Sequence, residues 1–138
     1  MDFQQYQQQS YAAIQPHDSN KEEVMHWAIG LGEEAGEALS VIKHKYYGGK
    51  YEVEDLVAEL GDTLWYIAAL CTASGISMQD VAEYNLAKLQ HRYPQGEFDN
   101  DRSQARHSLD EVFKHSNECI NITSKIEAKM RMKREEDK

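Results

Sequence analysis

Two short acidic clusters carry the most chemistry in this chain: Glu33-Glu34-Ala35-Gly36-Glu37 and Glu59-Leu60-Gly61-Asp62. Glu34 and Glu37 stand three residues apart, as do Glu59 and Asp62, a spacing that puts each pair on one face of a helix. Two such pairs facing each other would gather four carboxylates. At close range these repel, and they cannot all stay ionised unless a positive charge sits between them. An all-oxygen donor set selects a hard divalent cation, Mg²⁺ with Mn²⁺ as its substitute, over zinc or iron. The Glu-x-x-His pairs of carboxylate-bridged di-iron bundles are absent, because neither cluster contains histidine.

Two features separate these acids from an ordinary charged surface. No lysine or arginine lies between Trp27 and Ile42, so the usual i,i+4 partners are missing. Immediately after Asp62 the chain runs uncharged from Thr63 to Ala73, and a helix without charge on any face is a buried one. Acids at the edge of a core need a compensating cation. Gly36 and Gly61 each cost a helix about 1 kcal/mol against alanine, a cost that close approach of two helices at the carboxylates would justify. Glu34, Glu37, Glu59 and Asp62 are therefore the expected metal ligands. Glu33 points nearly opposite the apolar stripe of its helix and falls outside the cage or in solvent.

The elements that must position these acids are helices. A first helix is expected from Phe3 to Ile14, broken by Pro16, with Asp18-Ser19-Asn20 offering N-cap groups. A second runs from Lys21 to Tyr46 on the stripe Val24, Ala28, Leu31, Ala35, Ala38 and Ile42, and Gly48-Gly49 ends it. A third spans Glu52 to Ala73 on Val53, Leu56, Leu60, Leu64, Ile67 and Cys71, closed by Gly75. Ser77 should cap a fourth, with Asp80 as its capping-box partner, that continues to Arg92. Tyr93-Pro94-Gln95-Gly96 reads as a turn and residues 97–107 as irregular. Ser108-Leu109-Asp110-Glu111 reads as the cap of a last helix carrying Val112, Cys119, Ile122 and Ile126. No strand pattern is present, so the fold class is all-α.

A chain of 138 residues with 41% hydrophobic content suits one domain of ordinary size with its own core. There is no run of about 18 apolar residues, and Met1 to Tyr6 lacks the layout of a signal peptide. A cytoplasmic protein without membrane contact is the expectation. Cys71 and Cys119 form no CxxC spacing, which argues against a zinc site or a disulfide framework and leaves Cys71 as a small buried hydrophobe. A net charge of -9 argues against nucleic acid as a partner. A small phosphorylated ligand is still compatible with it, because metal ions reverse the local field. The basic stretch Lys125 to Arg134, followed by Glu135, Glu136 and Asp137, reads as a solvated helix end. The chain contains no P-loop, no HExxH and no nucleophile elbow.

The residues Glu33-Glu34-x-x-Glu37, a gap, and Glu59-x-x-Asp62 resemble the MazG-like all-α nucleoside triphosphate pyrophosphohydrolases. Ala28-Ile29-Gly30-Leu31-Gly32, Leu64-Trp65-Tyr66 and Asn85-Leu86-Ala87-Lys88-Leu89-x-x-Arg92-Tyr93-Pro94 are similar to that family as well. The resemblance covers about residues 5–98. It implies a MazG-like helical bundle of four core helices over residues 1–98, with residues 99–138 a C-terminal helical extension. It also implies a homo-oligomer, a homodimer or dimer of dimers, that hydrolyses a (deoxy)nucleoside triphosphate between the α- and β-phosphates, for nucleotide-pool control or house-cleaning. On matching positions Glu34, Glu37, Glu59 and Asp62 would bind Mg²⁺, Asn85 and Lys88 would hold the phosphates, and Tyr66 would sit by the sugar or phosphate. Trp27, His26 and Tyr6 are looser candidates for the base. Glu33 or Glu37 would orient or deprotonate the attacking water. A reading from another class, a non-catalytic helical interaction module with a structural cation, leaves Asn85 and Lys88 without a role.

Overall fold

The computed structural model describes residues 1–14, 19–50 and 52–136, apart from the side chains of residues 133, 134 and 136. Pro16 and Asp18, expected to break the first helix, lie outside that set, as do Asp137 and the side chains of Lys133 and Arg134. The described residues form seven helices and no strand, which is the all-α class the sequence implies. They are α1 (Phe3–Tyr11), α2 (Asn20–Tyr46), α3 (Val53–Ala73), α4 (Met78–Arg92), α5 (Asn100–Gln104), α6 (Arg106–Lys114) and α7 (Asn117–Glu136). They pack as two compact units, Met1–Ser74 and Gly75–Lys138. This division by packing differs from the expected segments 1–98 and 99–138: α4 packs against α6 and α7 within the second unit.

In the first unit α3 is the central helix, with α2 along one side and α1 on another. Helix α2 starts where Ser19 accepts a hydrogen bond from the Glu22 N–H, its hydroxyl donating to Glu22 Oε2 at 2.7 Å. Glu22 and Glu23 in its first turn and Lys43, His44 and Lys45 in its last complement the helix dipole. Gly48 ends it at φ 84°, a left-handed backbone that favours glycine. In α3 no residue from Thr63 to Ala73 is exposed, as the uncharged run demands, and Ala68, Ala69 and Cys71 are buried. By length and composition α3 would also pass for a membrane span; here its apolar half forms the core of this unit.

Helix α1 is tied down by specific polar contacts. Gln7 Nε2 donates to Thr72 Oγ1 at 2.9 Å, Trp65 Nε1 to the Ser10 carbonyl at 3.3 Å, and the Tyr11 hydroxyl to Glu23 Oε1 at 3.3 Å. Asn20 Nδ2 donates to the Ala73 carbonyl at 3.0 Å, fixing the start of α2 to the end of α3.

The apolar stripe expected on α2 is rotated. Its buried residues are Glu23, Trp27 and Gly30, whereas Ala28, Ala35 and Ile42 are exposed. A tryptophan buries far more area than an alanine, so Trp27 decides which face turns inward.

The second unit departs further from expectation. Ser77 occupies the N-cap position of α4 but makes no side-chain cap bond. Asp80 is buried and accepts two hydrogen bonds from Lys129 Nζ, at 2.7 and 2.6 Å, instead of serving as a capping-box partner. Residues 97–107 are not wholly irregular: Asp99 caps α5 by accepting from the Arg102 N–H at 2.7 Å. Ser108 to Glu111 lies inside α6 rather than capping a single last helix, and the chain breaks at His115-Ser116 before α7. Phe113, fully buried, packs edge-on to Tyr84 at 5.5 Å. Arg92 forks onto Asp110 at 2.8 and 2.6 Å.

Candidate metal centre

Gly30 and Trp27 lie against Tyr66, Trp27 also against Trp65, and Glu34 against Glu59 and Asp62. Falling numbers on α2 thus meet rising numbers on α3, and the two helices run antiparallel with the acids near the middle of α2.

There Glu34, Glu59 and Asp62 converge: one carboxylate oxygen from each lies within 4.8 Å of the other two. Glu34 and Glu59 are half-buried and Asp62 is exposed. Glu37 stands near enough for its charge to act on both Glu34 and Glu59. Three of the four expected ligands, Glu34, Glu59 and Asp62, thus meet, with Glu37 nearby but outside the group. Glu33 is exposed and exerts the weakest influence of the neighbouring acids on Glu34.

The electrostatics follow from the crowding. Burial pushes the Glu34 carboxyl above its usual range, and the charges of Glu37, Asp62, Glu59 and Glu33 push it further. Burial likewise raises Glu59, followed by the charges of Glu37 and Asp62, the hydrogen bond from Glu37, and Asp55. Among the described residues none of these four acids forms an ion pair with lysine, arginine or histidine. An all-oxygen group with no cation of its own fits a hard divalent ion, which would reverse both causes.

Two tyrosines border the cluster. Burial raises the Tyr66 hydroxyl, as do Glu34, Glu33 and Asp62, and burial and then Asp62 raise that of Tyr6 on α1. The placement of Tyr66 one turn after Asp62 therefore puts it at the acids. Trp27 differs from its reading as a ring open to a base: it is a core residue, 4% exposed, edge-on to Trp65 at 5.4 Å and to His26 at 4.6 Å. His26 is exposed. Asn85, exposed, and Lys88, half-buried, lie one turn apart on α4 in the second unit, where the Lys88 charge is one of those that lower Asp110.

The two glycines singled out beside the acids are not close-approach positions. A Cβ added at Gly36 or Gly61 would meet nothing within 4 Å. The glycine on which α3 does close is Gly30, whose added Cβ would lie 2.0 Å from Tyr66 Cε1. Its signal in the sequence was only its place one turn before Glu34, and nothing local distinguishes it from Gly36.

Comparisons with known proteins bear on the same residues. Residues 21–96, which hold α2, α3 and α4, match the family model described as the MazG nucleotide pyrophosphohydrolase domain. A curated relative, the Gene 37 protein of Mycobacterium phage L5, is 39% identical over 74 residues, covering 49% of this chain and 64% of that protein. The chain thus spans less than two thirds of that relative, whose name states no activity. No solved structure matches significantly.

Proposed function

The chain belongs to the MazG nucleotide pyrophosphohydrolase family, and from that membership we propose that it hydrolyses a (deoxy)nucleoside triphosphate to the monophosphate and pyrophosphate in a Mg²⁺-dependent reaction. The observation that carries this reading is the convergence of Glu34, Glu59 and Asp62 within 4.8 Å, with Glu37 beside them and no basic partner among them. A polyanionic substrate could not approach four carboxylates on their own. When bound, Mg²⁺ would neutralise both sides and polarise the phosphoryl group under attack.

Glu34, Glu37, Glu59 and Asp62 would hold the cation. Water attacks the α-phosphorus, the bond to the α–β bridging oxygen breaks, and pyrophosphate departs with that oxygen. The proton of the water passes to a carboxylate. Glu33 or Glu37, both exposed beside the cluster, would take it, Glu37 being the one whose charge acts on both Glu34 and Glu59. The family resemblance gives Asn85 and Lys88 the role of phosphate contacts, in which Lys88 would balance charge building on the leaving group. Tyr66 borders the sugar or phosphate, and exposed His26 is the candidate for the approach of the base.

Residues 1–98 would form the catalytic domain and 99–138 a helical extension, in a cytoplasmic enzyme acting in nucleotide-pool control or house-cleaning. It would work as a homodimer or dimer of dimers. Large apolar side chains on α2 and α3, among them Ile29, Leu39, Val57 and Leu60, are exposed in the single chain and suit burial against a second copy.

The test is a panel of canonical and modified nucleoside triphosphates incubated with Mg²⁺ and resolved by ion exchange. Monophosphate and pyrophosphate from at least one nucleotide are expected. Absence of both products across the panel would leave the non-catalytic module as the better account.

A further inference from the structure

We infer that Gly30 is a positioning residue for the carboxylate cluster: its bare backbone seats the Tyr66 ring and thereby sets the α2–α3 separation at which Glu34 can meet Glu59 and Asp62. The inference rests on the metal reading of that cluster.

Gly30 is buried in the interior of α2, one turn before Glu34, and Tyr66 stands one turn after Asp62 on α3. Residues four apart share a helix face, so this contact and the acids form successive rungs between the same two helices. The three heavy atoms nearest to a Cβ built on Gly30 all belong to the Tyr66 ring: Cε1 at 2.0 Å, Cδ1 at 2.6 Å and Cζ at 2.6 Å. Carbon atoms rest about 3.5–4.0 Å apart, so a methyl group here requires the ring or the helix to move by about 1.5 Å or more.

The ring is hemmed in. Trp65 stands edge-on to it at 4.9 Å and Trp27 is tilted against it at 5.9 Å, and Trp27 is itself buried. The displacement is therefore passed to the backbone, one turn from three oxygens that must close on one small ion. Mg²⁺ demands near-ideal octahedral geometry at about 2.0–2.1 Å, so a spread of that size disperses the ligands. The contrast with Gly36 and Gly61, which have open space, makes Gly30 the glycine between α2 and α3 that is required by what faces it.

The experiment measures Mn²⁺ binding to the full chain by electron paramagnetic resonance titration. It uses wild type, Gly30→Ala, Tyr66→Ala and the double variant, with far-UV circular dichroism as the check on helicity. Gly30→Ala should weaken Mn²⁺ binding by about tenfold or more, as loss of a supporting contact does at a metal site, while helicity is retained. In the Tyr66→Ala background the same methyl faces no ring, and its effect on Mn²⁺ affinity should largely vanish. Equal Mn²⁺ affinity of wild type and Gly30→Ala overturns the inference, as does an undiminished effect in the Tyr66→Ala background. If wild type binds no Mn²⁺, the metal reading itself falls and takes the inference with it. If Gly30→Ala loses helicity, the decision passes to the pair of Tyr66→Ala proteins, in which restored helicity of the double variant together with Mn²⁺ affinity equal to that of Tyr66→Ala supports the seat and continued loss overturns it.

Discussion

The acids of the two units are treated in opposite ways. In the second unit Asp80 is bound by Lys129, Asp110 by Arg92 and Glu111 by Lys114. The Arg92 guanidinium holds the Asp110 carboxyl below its ordinary value, and Lys114 does the same for Glu111. In the first unit Glu34 and Glu59 are raised by burial and by each other's neighbours, and no basic side chain among the described residues pairs with them. Carboxylates of the first kind are complete within the fold. Those of the second kind are held in an unfavourable state that a bound cation would relieve, and such incompleteness is a mark of a functional site.

The contrast is most sharply broken by removing single charges. Glu59→Gln and Asp62→Asn should each lower triphosphate turnover by about a hundredfold or more, since a metal ligand matters at least as much as a supporting contact. Helical circular dichroism should persist. Thermal unfolding of the metal-free Glu59→Gln protein should occur at a higher temperature than in wild type, because repulsion is relieved. The matching change in the second unit has the opposite sign. Lys129→Met strands the buried Asp80 carboxylate and should cost about 2 kcal/mol in denaturant unfolding, with Mn²⁺ affinity unchanged. If Lys129→Met stabilises or Glu59→Gln destabilises the metal-free chain, the two sets of acids are not different in kind.

Smaller effects sharpen the same contrast. Gly36→Ala, at an open position within α2, should stabilise the protein by up to about 1 kcal/mol through helix propensity alone. A loss there would instead reveal a second copy seated on that face.

The pH dependence supplies the last test. Glu34 and Glu59 have folded-state values raised from 4.5, so the native state binds more protons than the unfolded state and stability falls as pH rises through those raised values. Asp110 is lowered from 3.8, so its contribution is present above that pH and is lost as pH falls through its folded value. Thermal melts from pH 4 to pH 8 should show the first decline in metal-free wild type, a smaller decline in Glu59→Gln, and its removal by Mg²⁺.

Much of this was legible because it is local. The ends of α2 and α3 were set to within a residue by Ser19, Gly48 and Gly75. The i,i+3 spacing of the acids and the uncharged run after Asp62 pointed to carboxylates meeting beside a core, and Glu34, Glu59 and Asp62 do meet there. What escaped depended on partners far away in the chain. Asp80 looked like a capping residue because Lys129, its partner, lies 49 residues on. The face of α2 was misjudged because alanines count toward an apolar stripe while Gly30, which carries the closest helix contact, does not. The breaks around α5 and α6 fall in polar sequence without proline, where only Asp99 offered a local cap. The role of Gly30 follows from Tyr66 lying across it, which no single-helix pattern contains.

The central claim is that the α2–α3 carboxylates serve cleavage between the α- and β-phosphates. Hydrolysis of a turned-over nucleoside triphosphate in ¹⁸O-labelled water, with Mg²⁺ or with chelator and with Glu59→Gln in parallel, tests it most directly. The account predicts ¹⁸O in the monophosphate, unlabelled pyrophosphate, and neither product with chelator or with Glu59→Gln. Label in the pyrophosphate, release of inorganic phosphate alone, or undiminished cleavage by Glu59→Gln would contradict it.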